Sequence, residues 1–156
     1  MIIRKAGLQD LEGLNRLLDQ VGEVHHLGRP DLFKAGAHKY HHKELIHLLH
    51  DPDYTIFCAV DEQDYLLGYA FCIRQQHQNH PVLTDIKTLY IDDLCVDETC
   101  RGQHIGKRLY EHVLSYAKAH DFYNVTLNVW GFNESAMRFY ESCGLQIQKI
   151  GMEQIL

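Results

Sequence analysis

The sequence predicts one mixed α/β domain over residues 1–156, with a twisted mixed sheet of six to seven strands flanked by about four helices. Three observations lead to this fold class. A length of 156 residues is typical of a single domain. The first half of the chain combines helical apolar periodicity with alternating strands, and the second half alternates strand and helix patterns. This order predicts parallel pairing in the second half, antiparallel hairpins before and after it, and helices on both faces.

The first half begins with a short strand and two amphipathic helices. Residues 1–5 form the strand pattern. Apolar residues then recur every three or four positions over residues 8–21, which marks one face of a helix, and Gly22 is its expected end. A second helix spans about residues 39–50. It ends before Pro52, because the residue that precedes a proline is disfavoured in the helical region.

The other elements follow from the same two periodicities. Residues 54–60 and 65–74 alternate around the polar turn 61–64, which predicts a hairpin. Residues 86–96 form the next strand. The later elements are a helix over residues 105–117, a strand over 125–129, a helix over 136–143 with Gly144 after its last turn, and strands over 145–150 and 152–156.

Composition narrows the classes of function. The net charge of −6 argues against a nucleic-acid partner and against an anionic membrane surface, which both favour a basic face. No run approaches the ~18 apolar residues of a membrane span, and no secretory signal pattern opens the chain, so we expect a cytoplasmic protein. The five cysteines are scattered and form no C-x-x-C pair, which favours reduced thiols.

Twelve histidines are the unusual compositional feature. His38, His41 and His42 have helical spacing, and two histidines four residues apart can bind a metal. A complete site needs further ligands, and no H-E-x-x-H pattern is present. We therefore expect a polar helix face here and no metal cofactor.

The most informative segment joins the 86–96 strand to the next helix, and it reads Arg101-Gly102-Gln103-His104-Ile105-Gly106-Lys107. Glycines at such a junction let backbone N–H groups approach an anion, and the helix dipole favours negative charge there. The segment therefore predicts a phosphate or pyrophosphate site. It is not a Walker A loop, because three residues instead of four separate the glycines and Arg108 stands where Ser or Thr is required.

This loop resembles motif A of the GNAT superfamily of N-acetyltransferases, R/Q-x-x-G-x-G/A, with His104 in place of a usual glycine. Residues 133–145, N-E-S-A-M-R-F-Y-E-S-C-G-L, are similar to motif B of the same family, N-x-x-A-x-x-F-Y-x-x-x-G-F. Residues 90–96 resemble the family's fourth strand. The resemblance covers about residues 86–156 and implies an enzyme that transfers an acetyl group from acetyl-CoA to a primary amine in a ternary complex.

The resemblance also implies where acetyl-CoA binds, namely in a cleft where the fourth and fifth strands separate. Backbone groups of the fourth strand would bind the pantetheine arm, and loop amides would bind the pyrophosphate. Asn133 would cap its helix and also bond the cofactor arm. At His104 we expect a helical, negative φ. The implied cofactor-binding residues are Leu94, Cys95, Val96, Arg101, Gly102, Gln103, His104, Ile105, Gly106, Lys107 and Asn133.

Two catalytic residues are implied by the same resemblance. Tyr140 matches a tyrosine near the CoA sulfur, and a phenol with a pKa of ~10 can give its proton to a thiolate with a pKa of ~8.5. The glutamate base that some members carry on the fifth strand is replaced by Asn128. Asp92 resembles the fourth-strand carboxylate of polyamine acetyltransferases and is the candidate base, acting through water. A mechanism that relies on positioning of the free amine alone stays open.

The acceptor is expected to bind between residues 23–40 and the loop 75–81, which contain no recognisable motif. The acceptor is a small-molecule or peptide amine, and a polyamine, an amino acid, an aminoglycoside and a protein N-terminus all stay open. A homodimer is compatible with the resemblance, but no sequence feature demonstrates it. The rival interpretations are a non-catalytic module that binds acyl-CoA and a histidine-based metal-binding module.

Overall fold

Five strands form one sheet in the order in which they occur along the chain. A computed structural model describes all 156 residues. The strands are β1 (Ile2–Lys5), β2 (Tyr54–Val60), β3 (Leu66–Gln76), β4 (Lys87–Val96) and β5 (Asn124–Leu127). The α-helices are α1 (Leu11–Gly28), α2 (His42–His50), α3 (Ile105–Ala119) and α4 (Glu134–Ser142), with short 3-10 turns at Leu8–Asp10 and Glu98–Cys100. None of the helices is both long and apolar enough to cross a membrane.

The pairing of the strands confirms the predicted hairpin and the predicted parallel crossover. β1 to β4 are antiparallel neighbours, and β5 joins β4 in parallel after α3. β4 pairs with β3 along its whole length, from Val96 to Lys87. It pairs with β5 only from Thr88 to Ile91. The second half of β4 therefore has a strand partner on one side only.

Helices cover both faces of the sheet, as the sequence predicts. α1 and α2 pack on the face that carries Ile56 and Phe71, and α3 packs on the opposite face against Phe57 and Ala70. Successive residues of a strand point to opposite faces, so a strand that is covered on both sides is apolar at nearly every position. This explains the almost continuous apolar runs of β2 and β3.

A β-bulge interrupts β4 at the point where β4 leaves β5. Phe71 pairs with Asp93 and Cys72 pairs with Ile91, so Asp92 is an extra residue on β4. An extra residue reverses the side-chain alternation beyond it. Ile91 accordingly packs in the α3 layer, whereas Cys95, four residues later, packs in the α1 and α2 layer.

Two helix boundaries differ from the sequence prediction. α1 does not end at Gly22 but continues to Gly28, because an interior glycine weakens a helix by only ~1 kcal/mol and the packed apolar face of α1 outweighs this. The helix ends where Pro30 forces Arg29 out of the helical region, to φ −145° and ψ 75°. α2 begins at His42 instead of residue 39, after an extended His41 whose N–H donates to the Glu44 carboxylate at 2.6 Å.

The two C-terminal strands that the sequence predicts do not form, and the sheet has five strands instead of six or seven. Alternating apolar residues make a strand only where a partner accepts the backbone hydrogen bonds. β5 pairs with β4 alone, and residues 145–156 join no sheet of this chain. Their apolar side chains are largely exposed, namely Ile147, Ile150, Met152, Ile155 and Leu156.

The end of α4 is the glycine stop that the sequence predicts. Gly144 has φ +92°, which only glycine adopts readily. Its N–H donates to Glu141 O at 2.9 Å, and the Leu145 N–H donates to Tyr140 O at 3.1 Å. These two bonds form a Schellman motif, which satisfies the last carbonyl groups of α4 and fixes the direction in which the chain leaves.

A buried ion pair ties α1 to the end of β4. Asp97 is 1% exposed, accepts a hydrogen bond from Arg16, and also accepts the Thr99 N–H at 3.0 Å and its hydroxyl at 2.8 Å. Burial alone would raise the pKa of Asp97, but these hydrogen bonds outweigh it and lower the pKa to about 2. The pair therefore holds the start of the loop between β4 and α3.

We predict that Asp97→Asn lowers the free energy of unfolding by roughly 2–3 kcal/mol at pH 7, because the carboxylate pKa is lower in the folded than in the unfolded chain. This contribution is complete above the unfolded pKa of ~3.9 and disappears as the pH falls through about 2. Urea unfolding at several pH values measures it. The exposed Asp53, 4.0 Å from Arg74, is the matched control, and Asp53→Asn should change stability by less than ~0.5 kcal/mol. Equal losses in both variants would contradict this account.

Candidate functional site: the cleft between β4 and β5

The site is a cleft that opens where β4 and β5 separate. The last pair of the β4–β5 ladder is Ile91 with Leu127. Beyond it, the edge of residues 92–96 that faces away from β3 has no strand partner. α3 begins and α4 packs beside this edge, since a Cβ built on Gly106 would lie 3.4 Å from both the Phe139 ring and Val96. Gly106 thus allows α3 to approach these two side chains closely.

Unpaired backbone amides line the loop that leads into α3. The N–H groups of residues 101–107 donate to no acceptor within the chain, and Arg108, which donates to His104 O at 3.1 Å, is the first amide of the helical ladder. Gly102 has φ +81° and is exposed, so this turn needs a residue without a Cβ. Unpaired amides and the positive end of a helix dipole favour an anion, so the arrangement is compatible with the predicted phosphate site, which stays a prediction.

His104 differs from the prediction, because it is not helical. It is the N-cap of α3 with φ 59° and ψ 15°, in the left-handed region, and its side chain makes no capping hydrogen bond. The expected negative φ was wrong for a physical reason. The chain arrives extended at Arg101 and has to turn sharply before Ile105 starts the helix. Histidine tolerates the left-handed region better than most residues, yet glycine adopts it without strain.

The other residues that the sequence analysis assigns to cofactor binding lie on β4, around the start of α3 and at the start of α4, and their binding role stays a prediction. Leu94 and Val96 lie on the unpaired part of β4, and the Cys95 side chain is buried toward α1, where its thiol lies 3.7 Å from Leu17 O. Only the backbone of Cys95 can therefore face the cleft. Asn133 caps α4, with its side-chain oxygen accepting the Ala136 N–H at 3.1 Å, which confirms its capping role. Arg101, Gln103 and Lys107 are exposed along the loop.

Tyr140 lies on α4 between two other aromatic rings. Its ring centroid is 5.0 Å from that of Phe139 and 6.5 Å from that of Tyr110. Its hydroxyl bonds to no other residue, and since no fully buried side-chain polar atom lacks a partner, this hydroxyl has access to solvent. Burial raises the pKa of Tyr140, and the negative charge of Asp93 raises it further. The phenol is thus protonated at neutral pH and carries a proton, although its raised pKa makes it a weaker acid than an ordinary tyrosine.

Two carboxylates converge on one lysine at the β4 bulge. Lys39 Nζ lies 2.9 Å from Asp92 Oδ2 and 3.5 Å from Asp93 Oδ2, and the Tyr69 hydroxyl donates to Asp93 Oδ2 at 3.2 Å. The Asp92 side chain is 24% exposed and that of Asp93 is 9% exposed. Burial raises the pKa of Asp93, although Lys39 and the Tyr69 hydroxyl partly oppose the rise. Asp92 as the base stays a prediction, and Asp93 becomes a second candidate.

Sequence reasoning missed Asp93 because of the bulge. In a regular strand, adjacent residues point to opposite faces, so only one of Asp92 and Asp93 would reach the cleft. The extra residue lets both reach Lys39. The one available signal was the doubled aspartate itself, at the end of an apolar strand. Asn128, at the position of the family's other base, donates its amide N–H to the Tyr90 hydroxyl at 3.1 Å and carries no charge.

An aromatic cluster that the sequence analysis did not identify joins α1 to the loop after β5. The Phe33 ring packs against His25 at 5.0 Å and edge-on against Trp130 at 5.2 Å, and Trp130 stacks on Phe132 at 6.3 Å. Phe132 in turn lies against Gly28 of α1. Trp130 is 43% exposed and is the only tryptophan of the chain. The predicted acceptor segment 23–40 thus contributes apolar surface as well as Lys39.

Two of the histidines around α2 have hydrogen-bond partners within the chain. His38 Nδ1 lies 2.7 Å from Asp19 Oδ1, and His50 Nδ1 lies 2.8 Å from Ile46 O. No group of three or more His, Cys, Asp or Glu side chains is arranged to hold a metal ion. In the predicted acceptor loop 75–81, His80 Nδ1 accepts the N–H groups of Val82 and Leu83, which follow it.

Comparison with known proteins identifies the family. A model of the acetyltransferase (GNAT) family matches residues 21–145. The chain therefore belongs to the acetyltransferase (GNAT) family, which confirms the resemblance. Among solved structures, a mutant of the BH1408 protein from Bacillus halodurans superimposes with a TM-score of 0.95 and 38% identity, over 100% of this chain and 99% of that one.

Two named relatives share part of the sequence. The chain is 30% identical over 106 residues to peptidyl-lysine N-acetyltransferase YjaB of Salmonella typhimurium, which covers 67% of this chain and 60% of that protein. It is 32% identical over 68 residues to glucosamine 6-phosphate N-acetyltransferase of Arabidopsis thaliana, over 44% of each chain. The chain thus spans less than two thirds of either relative's length.

We predict that His104→Gly raises the free energy of unfolding by ~1 kcal/mol, because a left-handed conformation strains a residue that has a Cβ. For a chain of this length the melting temperature should rise by roughly 2–4 °C. His104→Ala is the control, since it removes the imidazole but keeps the Cβ, and it should not stabilise the fold. A melting temperature that rises equally in both variants would show that the imidazole, and not the backbone, is the source of strain.

Proposed function

We propose that this chain transfers an acetyl group from acetyl-CoA to a primary amine, by direct attack of the amine in a ternary complex. Three features around the separation of β4 and β5 support the proposal: the unpaired amides of residues 101–107, the unpaired edge of β4, and the carboxylate of Asp93, whose charge acts on the Tyr140 phenol. A site for an anion therefore adjoins a proton donor and a carboxylate. Family membership supports the same reaction.

The residues of the cleft fit the donor. The amides of residues 101–107 would hold the pyrophosphate, with Arg101 and Lys107 adding positive charge beside it. The free edge of β4 from Leu94 to Val96 offers backbone donors and acceptors to the amides of the pantetheine arm. At Gly106 a Cβ would already touch Phe139 and Val96 at 3.4 Å, so a side chain larger than that of alanine would need these neighbours to move.

The chain supplies the two proton transfers of the reaction. Acetyl-CoA contributes an activated thioester and a thiolate leaving group. Tyr140 is protonated at neutral pH and faces solvent, so it can donate its proton to that thiolate. A carboxylate has to take the proton that the attacking ammonium loses. Asp93 suits this role better than Asp92, because its burial raises its pKa and so strengthens it as a base.

The charges of the cleft favour a cationic acceptor. Two adjacent carboxylates attract an ammonium, whereas they repel a phosphorylated sugar. The exposed ring of Trp130 and the neighbouring Phe33 can pack against the aliphatic part of a long side chain. We therefore favour a lysine side chain of a peptide as the acceptor, which is the substrate class in the name of the Salmonella relative. A polyamine is also cationic and has similar aliphatic segments, so it is the second candidate acceptor.

The test is the release of CoA over a panel of amines that contains lysine peptides, spermidine and glucosamine 6-phosphate. We expect turnover with a lysine peptide or spermidine and little with the phosphorylated sugar. The alternative, a non-catalytic module that binds acyl-CoA, predicts a different result. In that case acetyl-CoA at a hundredfold excess over Kd would still stabilise the fold by ~2.7 kcal/mol, but no amine would be acetylated.

Tyr140→Phe should lower kcat by roughly 10²–10⁴-fold and leave the Kd of acetyl-CoA nearly unchanged, because only the proton donor is lost. Tyr110→Phe is the matched control. It removes the hydroxyl of a neighbouring aromatic residue in the same layer and should retain most of the activity. Steady-state kinetics and calorimetric titration measure the two quantities. Wild-type turnover in Tyr140→Phe would exclude Tyr140 as the acid.

Asp93→Asn should abolish the acidic limb of the pH profile of kcat/KM. In the wild type, kcat/KM should fall with decreasing pH as the Asp93 carboxylate takes up a proton. Because the Asp93 pKa is raised, the pH of this fall should lie above the pKa of ~3.9 of an ordinary aspartate. Asp92→Asn is the comparison, and it should retain that limb with a higher KM. If instead Asp92→Asn removes the limb and Asp93→Asn keeps it, Asp92 is the base.

A further inference from the structure

A lysine of the chain itself already lies at the proposed acceptor position. Lys39 belongs to the irregular segment between α1 and α2, yet its side chain reaches β4 and places Nζ 2.9 Å from Asp92 and 3.5 Å from Asp93. The ammonium also lies 5.5 Å from the centroid of the Tyr40 ring. It is the one lysine of the chain in an ion pair with an aspartate or glutamate.

The surroundings of Lys39 are those of a reacting amine. Asp93, the carboxylate that we assign as base, lies within ion-pair distance, with its Oδ2 3.5 Å from Lys39 Nζ. The same carboxylate is close enough to Tyr140 for its charge to act on the phenol. The Tyr69 hydroxyl donates to the same oxygen, Asp93 Oδ2, at 3.2 Å. Base, amine and acid therefore border the cleft together in the free chain.

We propose that Lys39 is a self-modification site, acetylated on Nζ by the cleft of its own chain. The proposal rests on the proposed function, because it requires acetyl-CoA in that cleft. Lys39 first gives a proton to the Asp93 carboxylate. The free amine attacks the thioester carbonyl carbon, so that a C–N bond forms and the C–S bond breaks with its electron pair on sulfur. Tyr140 protonates the sulfur and is itself reprotonated by the second proton, which the nitrogen loses as the amide forms. Asp93 releases its proton to solvent, so the products are Nε-acetyl-lysine, CoA and one proton.

Acetylation changes the electrostatics of the site. An acetylated lysine carries no charge and cannot form an ion pair. Asp92 and Asp93 then lack their internal cation, and they become free to hold the ammonium of an external acceptor. Unmodified Lys39 competes with such an acceptor for the same two carboxylates.

Uncatalysed acetylation would favour other lysines. Only the free amine reacts with a thioester, and the ion pair keeps Lys39 protonated. Lys34, Lys43 and Lys149 are exposed and form no ion pair, so acetyl-CoA in solution should modify them first. Preferential acetylation of Lys39 is therefore diagnostic of catalysis by the cleft.

The first experiment incubates the full chain with acetyl-CoA and follows each lysine by peptide mass spectrometry. We expect Lys39 to be acetylated at least ~10²-fold faster than Lys43, at a rate independent of protein concentration, and Tyr140→Phe to remove this preference. Intact mass provides a check, since Lys39→Arg should lose the rapid acetyl group and Lys43→Arg should keep it. Equal rates at Lys39 and Lys43 would overturn the proposal.

A mixing experiment separates reaction within one chain from reaction between chains. Wild-type protein is mixed with ¹⁵N-labelled Tyr140→Phe protein. Reaction within the chain leaves Lys39 of the heavy variant unmodified. Equal acetylation of the heavy variant would contradict self-modification.

A readout without acetyl-CoA tests the ion pair itself. Trace labelling with acetic anhydride should modify Lys39 more slowly than Lys43 in the wild-type chain and at a similar rate in Asp92→Asn/Asp93→Asn. A Lys39 that reacts as fast as Lys43 in the wild type would remove the basis of the proposal. Turnover of an external lysine peptide with Lys39 unmodified would overturn self-acetylation alone, whereas absence of both reactions would overturn the proposed function as well.

Discussion

The constraint on which the site depends is the unequal pairing of β4. β3 accompanies β4 along its whole length, whereas β5 accompanies it only from Thr88 to Ile91. Because the ladder ends early, backbone donors and acceptors of residues 92–96 have no partner on the β5 side. The separation of the two strands also leaves space for the start of α3 and for α4. A sheet with full pairing between β4 and β5 would have no cleft at this edge. Arg16 and Asp97 hold the end of β4 in this position from the α1 side.

The bulge at Asp92 gives this cleft its charge. It lies within one residue of the last β4–β5 pair, so the reversal of side-chain alternation falls at the mouth of the cleft. Asp93 is thereby buried against Tyr69, and Asp92 stays partly exposed beside it. Two carboxylates with different solvent access can serve different purposes, one as a base and the other as a partner for a cation. The same arrangement explains why the chain's own Lys39 is held there.

Features that depend on neighbouring residues were predictable from the sequence, and features that depend on distant partners were not. The hairpin of β2 and β3, the start of α3 and the Gly144 stop follow from turn residues, apolar spacing and glycine conformation within a few positions. Gly22 was misread because the packing of α1 against the sheet outweighs a weak local preference. The prediction of two C-terminal strands was wrong because an alternating apolar pattern does not specify a partner strand. The prediction of a negative φ at His104 was wrong because the direction in which the chain reaches α3 sets this angle. Asp93 was missed because a bulge is a property of two strands.

We expect acetyl-CoA to bind along the free edge of β4 and across the amides that precede α3. Hydrogen–deuterium exchange of the full chain, with and without saturating acetyl-CoA, tests it most directly. In the free protein the amides of residues 101–107 have no internal acceptor, so they should exchange rapidly. The account predicts that acetyl-CoA slows exchange in residues 92–96 and 101–107 and leaves β1 and α2 unchanged. Unaltered exchange of residues 101–107 under saturating acetyl-CoA, or protection confined to other segments, would contradict it.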